Sequence, residues 1–258
     1  MELTIARQLA DLNRRFYADH AAAFAYARST PQPGIQHILT RIPSGAHILE
    51  IGCGDGKVAR ALVENTSVGS YLGLDLDEGM IEKARRWTTK DEGRTTKASA
   101  DSPHSSFVLR PSSFAIADLT SPSWPHLLAS RPFDWILAFS VFHHLPGFET
   151  RVQILRDLAG HLTPGGMCVI SNWQFTRSER LKQRIVPWSA LNLTASDVEP
   201  NDYLLSWERN NQRGLRYVHV LDESEARSMA AAAGLTVAEV FRSDGVSGDL
   251  ADYVVMKR

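Results

Sequence analysis

The sequence predicts an α/β fold built on a doubly wound, mostly parallel sheet with helices on both faces. Three observations carry that prediction. From residue 47 onward, short apolar runs alternate with segments of helical periodicity. The runs are near-continuously apolar, as strands buried on both faces must be. A glycine-rich turn joins the first run to the first helix, as an α/β unit requires at a ligand-binding edge.

In order along the chain, Leu3, Ala6, Leu9, Leu12 and Phe16 recur at helical spacing and predict a helix over residues 1–28. The stretch from Ser29 to Gly34 breaks it with two prolines, and a short helix from Ile35 to Arg41 follows. Strands are expected at His47–Ile51, Tyr71–Asp75, Phe114–Ala117, Phe133–Phe139 and Met167–Asn172, and finally at Leu235–Arg242 and Asp252–Lys257. Helices are expected at Val58–Asn65, Glu78–Trp87, Glu149–Leu162 and Glu223–Ala233, the third punctuated by Pro164-Gly-Gly166 and the last stopped by Gly234. Residues 88–112 are polar, lack apolar periodicity and read as a long surface loop. Residues 173–216 fit neither a strand nor one clean helix and carry Trp173, Trp188 and Trp207 among arginines. Their place after the fifth strand puts them at the carboxyl edge of the sheet, as a cap or substrate element. The chain thus divides into a helical cap (1–44), a core (45–172), an insertion (173–216) and a completion of the sheet (217–258).

Composition sets bounds on function. The 258 residues are 43% hydrophobic and 22% charged, which excludes wholesale disorder. No apolar run approaches the roughly 18–20 residues of a membrane span, and the polar start carries no secretory h-region. Two cysteines, Cys53 and Cys168, make no disulfide framework and fit a cytoplasmic setting. A net charge of −1 gives no global field for nucleic acid. The insertion from 173 to 219 is mildly basic, with seven Lys and Arg against five acids.

The chemistry concentrates at Glu50-Ile-Gly52-Cys53-Gly54-Asp55-Gly56. The spacing is G-x-G-x-G, with Lys57 where a dinucleotide fingerprint wants its third glycine. Glu50 and Asp55 flank the turn, and each would repel a diphosphate by about 1 kcal/mol at 4 Å in water and about 4 at an effective dielectric of 20. A cofactor carrying an ammonium and a sulfonium, S-adenosylmethionine (AdoMet), would be attracted instead. Asp75, 19 residues after Gly56 at a strand end, is placed to accept from ribose hydroxyls, with Asp77 as second candidate. Asp118, after the third strand, could accept the exocyclic amine of adenine.

These residues resemble the class I AdoMet-dependent methyltransferases. The matching pieces are Leu49-Glu-Ile-Gly-Cys-Gly-Asp-Gly56, Gly73-Leu-Asp75, Ala117-Asp-Leu119, Phe133-Asp-Trp-Ile-Leu137 and Leu162-Thr-Pro-Gly-Gly166, in the family's order. The resemblance implies a Rossmann-like sheet of seven strands with the last antiparallel. It implies cofactor contacts from Glu50, Gly52, Cys53, Gly54, Gly56, Asp75, Leu76, Asp118, Leu119 and Phe139. Further stretches resemble the wobble-uridine tRNA methyltransferases, which methylate a carboxymethyl group. These are Phe16-Tyr17, Phe24, Arg28 and Pro31-Gln-Pro33, then Ser140-Val-Phe-His143-His144-Leu145, then Val186-Pro-Trp188, and Arg216-Tyr217-Val218-His219. Gln32 and Val218 stand where that branch usually has tryptophan and tyrosine. The branch resemblance implies Tyr17 and Arg28 near the cofactor's methionine end, Arg216 and its neighbours facing tRNA, and a small activating protein as partner.

Methyl transfer is an in-line displacement whose main demand is alignment. A carboxylate acceptor is already ionised and needs no base; Arg216, Tyr217 and His219 are the candidates to hold it. A hydroxyl or amine acceptor needs a base, and His143, His144 or His219 would be suspected; for His219 a phosphate contact and a satisfied core histidine are the other readings, and sequence alone favours the core histidine. His143 and His144 are adjacent and lack a Cys or acid at ligand spacing, so no metal is expected. The competing readings are a small-molecule O- or N-methyltransferase and a non-catalytic AdoMet-binding module.

Overall fold

A computed structural model of the chain describes residues 1–26, 30–65, 68–92, 112–209 and 211–258. The elements run α1 (Leu3–Tyr26), α2 (Pro33–Leu39), β1 (His47–Ile51), α3 (Lys57–Asn65), β2 (Ser70–Asp75), α4 (Glu78–Glu92), β3 (Ser112–Ile116), β4 (Phe133–Phe139), α5 (Phe148–Gly160) and β5 (Leu162–Trp173). They continue through α6 (Glu179–Lys182), β6 (Ile185–Val186), β7 (Asp202–Arg209), β8 (Gln212–His219), α7 (Glu223–Ala232), β9 (Thr236–Ser243) and β10 (Ala251–Lys257).

Seven strands form one sheet in the order β3-β2-β1-β4-β5-β10-β9. The first five are parallel, and β10 enters antiparallel between β5 and β9. The order reverses between β1 and β4, so their carboxyl ends flank the crevice where open α/β sheets bind ligands. One face of the sheet packs on α2, α3 and α4 through Ile38, Leu62 and Ile81. The other packs on α5 and α7 through Leu155, Leu158 and Met229. Helices therefore cover both faces, and β1 is buried along Ile48–Ile51. Among the described residues no helix is long and apolar enough to cross a membrane.

Several boundaries differ from the sequence reading, most by one or two residues and some by more. The helix starting at Glu78 runs on to Glu92, five residues into the expected loop; residues 93–111 of that loop lie outside the described residues. The helix before the fifth strand ends at Gly160, and the chain from Leu162 already belongs to β5. Pro164-Gly-Gly166 is an irregularity within that strand: Phe133 pairs with Leu162 but Trp135 with Met167. The insertion is more ordered than its periodicity suggests. It holds a three-stranded antiparallel sheet, β6-β7-β8, over a small core of Phe175, Leu181, Leu205 and Val218. The missed signal is Asn210-Asn211 between two eight-residue runs; Asn211 takes φ +62, as a hairpin turn demands. A division at 216/217 therefore cuts through β8, and the insertion extends to His219.

Helix α1 packs on β8. Its buried stripe is Leu9, Asn13, Phe16 and His20, at helical spacing but half polar, while Leu3 is 66% exposed. Phe16 meets Trp207 edge to face at 5.8 Å. Gly214 allows this close approach, since a Cβ there would lie 2.8 Å from the Phe16 ring. Helix and hairpin thus form a roof over the carboxyl edge of the sheet.

Candidate active site

A cleft of about 960 Å³ opens at that edge, floored by the ends of β1, β2 and β4 and roofed by α1 and β8. The turn after β1 is held open by its backbone. Gly52, Gly54 and Gly56 take φ of +68, +54 and +77, and a Cβ at Gly52 would lie 2.3 Å from Val141. Two main-chain bonds fix the turn: Cys53 N–H donates to the Leu74 carbonyl at 3.0 Å, and Gly54 N–H donates to Asp75 Oδ2 at 2.8 Å.

Asp75 also accepts from Asp77 N–H at 2.9 Å through Oδ1. Asp75 also lines the cleft, and a carboxylate oxygen can accept more than one hydrogen bond. Burial raises its pKa against the lowering effect of those N–H groups. Asp77 instead caps a helix, its Oδ1 accepting from Met80 N–H at 2.8 Å in the first turn of α4. At the cleft's far mouth, Asp118 accepts from Thr120 N–H at 2.9 Å, from Thr120 Oγ1 at 2.6 Å and from Arg14 Nη2 at 2.7 Å. Partial burial would raise its pKa, but the Thr120 and Arg14 contacts bring it below the usual carboxylate range.

The charge at the turn is not what the sequence implies. Glu50 is 2% exposed and accepts from the Tyr71 hydroxyl. Burial pushes it up to about 8, opposed by that hydrogen bond and by Lys57. Asp55 pairs with Arg60 at 2.9 Å. The turn at neutral pH thus carries a largely protonated Glu50 and a neutralised Asp55, and its negative character rests on Asp75. A cation placed beside Glu50 would draw out its proton. The cradle fits AdoMet on these grounds: an open glycine turn, an ionisable carboxyl beneath it, and a carboxylate with spare acceptor sites at the next strand's end. Glu50, Gly52, Cys53, Gly54, Asp75, Leu76, Asp118, Leu119 and Phe139 all line the cleft. Gly56 lies behind the turn against Ala84 and Phe114. Arg28 lies outside the described residues.

The other end of the cleft is aromatic and cationic. The Arg216 guanidinium lies over Trp173 at 4.8 Å and over Phe16 at 5.6 Å. Its Nη1 is 3.5 Å from the Tyr17 hydroxyl, which lies 2.6 Å from His144 Nε2. His144 Nδ1 faces the Tyr217 carbonyl at 3.4 Å. That assigns the ring proton to Nδ1 and makes the Tyr17 hydroxyl the donor to Nε2. Burial and the Arg216 charge push His144 down to about 3, so its ring is neutral. His143 also lines the cleft, its Nδ1 accepting from Trp173 N–H at 3.4 Å.

Tyr217 and His219 do not reach the cleft. Strand alternation turns both to the opposite side of β8 from Arg216. The Tyr217 hydroxyl donates to Asp202 at 2.6 Å. His219 bonds Asp202 through Nδ1 and Glu225 through Nε2, each at 2.7 Å. Burial would lower the His219 pKa, but the hydrogen bonds to Asp202 and Glu225 raise it above the ordinary imidazole value. Arg151, 1% exposed, closes the knot with bonds of 2.7 Å to Glu199 and to Glu225. Glu199, Asp202 and His219 are close enough to suggest a cation cage, but these protein contacts already occupy them. The structure thus places Tyr217 and His219 outside the residues that line the cleft, with their polar side-chain atoms engaged by Asp202 and Glu225.

Sequence periodicity passes over Asn13, Arg14 and Trp173 as site residues. The signal available for Asn13 is a polar residue placed on the buried stripe of an amphipathic helix.

Residues 49–168 match the family described as a methyltransferase domain. The chain is 29% identical over 157 residues to the tRNA (carboxymethyluridine(34)-5-O)-methyltransferase ALKBH8 of Mus musculus, covering 61% of this chain and 19% of that one. It is 26% identical over 183 residues to the tRNA (carboxymethyluridine(34)-5-O)-methyltransferase of Saccharomyces cerevisiae, covering 67% and 55%. It is 24% identical over 168 residues to the trans-aconitate 2-methyltransferase of Azoarcus sp. (strain BH72), covering 63% and 55%. The chain thus spans between a fifth and about half of these relatives' lengths. Among solved structures, a SAM-dependent methyltransferase from Methanosarcina mazei superposes with a TM-score of 0.62 at 15% identity, covering 89% of this chain and 98% of that one. A putative methyltransferase in complex with the Haloferax volcanii Trm112 methyltransferase activator superposes at 0.56 and 16%, covering 96% of each.

Proposed function

We propose that this chain is a class I S-adenosylmethionine-dependent methyltransferase that methylates a carboxylate, and that the carboxylate belongs to a modified wobble uridine of tRNA. When bound, AdoMet supplies a methyl group activated by its sulfonium. The observation that carries the acceptor assignment is Arg216. Its guanidinium lies against the Phe16 and Trp173 rings in the cleft wall, beside the Tyr17 hydroxyl. A planar cation held in this way suits one oxygen of a carboxylate and leaves the other to attack.

The chemistry of the neighbouring histidines agrees. A carboxylate needs no deprotonation, and His144, held near 3, is too weak a base to deprotonate a hydroxyl or ammonium. The work of this end is alignment. The uridine assignment draws on the named substrate of the mouse and yeast relatives. A cytoplasmic location follows from that substrate.

Transfer of labelled methyl from AdoMet to tRNA bearing free carboxymethyluridine tests the reading. We expect labelling that falls steeply with salt. We also expect Arg216→Gln to lower it at least tenfold while S-adenosylhomocysteine still binds within threefold of wild type. No labelling of tRNA at saturating cofactor, together with turnover of a small carboxylic acid, would replace the substrate. The mild charge of the insertion and the trans-aconitate relative favour that second reading.

A protein activator is a further part of the proposal. Among the described residues β3 is the outermost strand at its end of the sheet, with Ile116 44% exposed, and this edge is where such a partner would add. Full transfer by the chain alone would dispense with it.

A further inference from the structure

We propose that Asn13 is a positioning residue for methyl transfer, its carboxamide holding the backbone segments that carry Arg216 and His144 at the acceptor end of the cleft. The inference rests on the reading that this end receives the acceptor.

The carboxamide is 5% exposed and uses both its ends. Its Oδ1 accepts from Tyr217 N–H at 2.8 Å, and its Nδ2 donates to the Tyr217 carbonyl at 3.0 Å. Strand β8 is the edge of its small sheet, so both of these main-chain groups point away from β7. Asn13 thus pairs with that edge as a neighbouring strand would. The same Nδ2 also donates to the His144 carbonyl at 3.2 Å, in the turn after β4.

One side chain therefore ties α1, β8 and the His143-His144 turn together. Arg216 precedes the peptide it grips, and the Tyr217 carbonyl it grips also faces His144 Nδ1. One helical turn further on, Tyr17 reaches His144 Nε2 and Arg216 Nη1. Two carbonyls demand donors and one N–H demands an acceptor, and at this length only a carboxamide supplies both. Asn13 borders the cleft, but its amide atoms are committed to backbone groups, so it acts through Arg216 and His144.

Asn13→Asp is the discriminating variant. It keeps shape and the acceptor but sets a carboxylate against two carbonyl oxygens. We expect S-adenosylhomocysteine affinity within threefold of wild type and a kcat for methyl transfer lowered at least tenfold. We also expect the His144 ring to change its titration by NMR. In the wild type it stays neutral down to about pH 3, and in the variant it titrates toward the ordinary 6.5. Undiminished kcat with unmoved His144 resonances would overturn the inference. No transfer by the wild-type protein would instead remove the acceptor reading on which it rests. Amide exchange of the unaltered protein gives an answer even if the variant does not fold. The Tyr217 N–H should exchange slowly, and exchange at the rate of an open edge amide would overturn the inference equally.

Discussion

Glu50 sits 2% exposed beneath the glycine turn, with the Tyr71 hydroxyl donating to it and a pKa pushed up to about 8. The sign of its pH effect follows. Below 4.5 the carboxyl is protonated folded and unfolded and contributes nothing. Between 4.5 and about 8 the unfolded chain sheds the proton and the folded one keeps it, so stability falls as pH rises. At pH 7 the loss amounts to roughly 3 kcal/mol. Glu50→Gln keeps a neutral, hydrogen-bonding side chain in place. We predict that it melts higher than wild type at pH 7 and lacks the wild-type decline from pH 5 to 8, while binding AdoMet more weakly. Thermal melts across that range at fixed ionic strength check this, and parallel curves would refute it. Wild-type affinity for AdoMet should rise with pH through the same window, because binding a cation draws out the proton. The acid itself was legible in the sequence from its place in the turn. Its protonation was not, because that depends on Tyr71 and on burial contributed by other strands.

Among elements, the insertion is where local pattern informed least. Strands β1, β2 and β4 are read directly from apolar runs, since burial on both faces leaves no alternative. Strands β7 and β8 lack that pattern, for their sheet is small and its outer edge is taken up by α1. What fixes this sheet to the core is electrostatic and non-local. Arg151 on α5 meets Glu199 and Glu225 at 2.7 Å, and Glu199 also accepts from Phe148 N–H at 2.8 Å in the first turn of α5. Arg151→Met leaves Glu199 without its cation and Glu225 with His219 alone, so we predict a loss of about 3 kcal/mol in urea unfolding, in the range for a broken buried pair. A loss under 1 kcal/mol would mean that the knot is solvated. His219 adds a pH signature of opposite origin. Its folded pKa is raised, so its contribution is present below 6.5 and lost as pH rises through the folded value. Partners such as Arg151 and Glu225, 74 residues apart, carry no signal at short range, so the sequence favours a core histidine at His219 without naming the carboxylates that engage it.

At the scale of the molecule, the parallel sheet supplies a rigid floor, and the α1–hairpin roof supplies chemistry of a different kind. The floor bears the carboxyl groups and the open turn; the roof bears Arg216, Tyr17 and Asn13. This separation explains why the floor, the proposed cofactor side, was legible and the roof, the proposed acceptor side, was less so: a glycine turn and a strand-end acid lie within one α/β unit, whereas the roof joins residues about 200 positions apart. The central claim is that the floor cradles AdoMet between the turn and Asp75. Calorimetric titration of S-adenosylhomocysteine into wild-type protein and into Asp75→Ala tests it most directly. We predict one site in the wild type and at least tenfold weaker binding in the variant, about 1.4 kcal/mol, with the fold retained. Equal affinity in the two proteins, or uptake of NAD or ATP in place of S-adenosylhomocysteine, would contradict it.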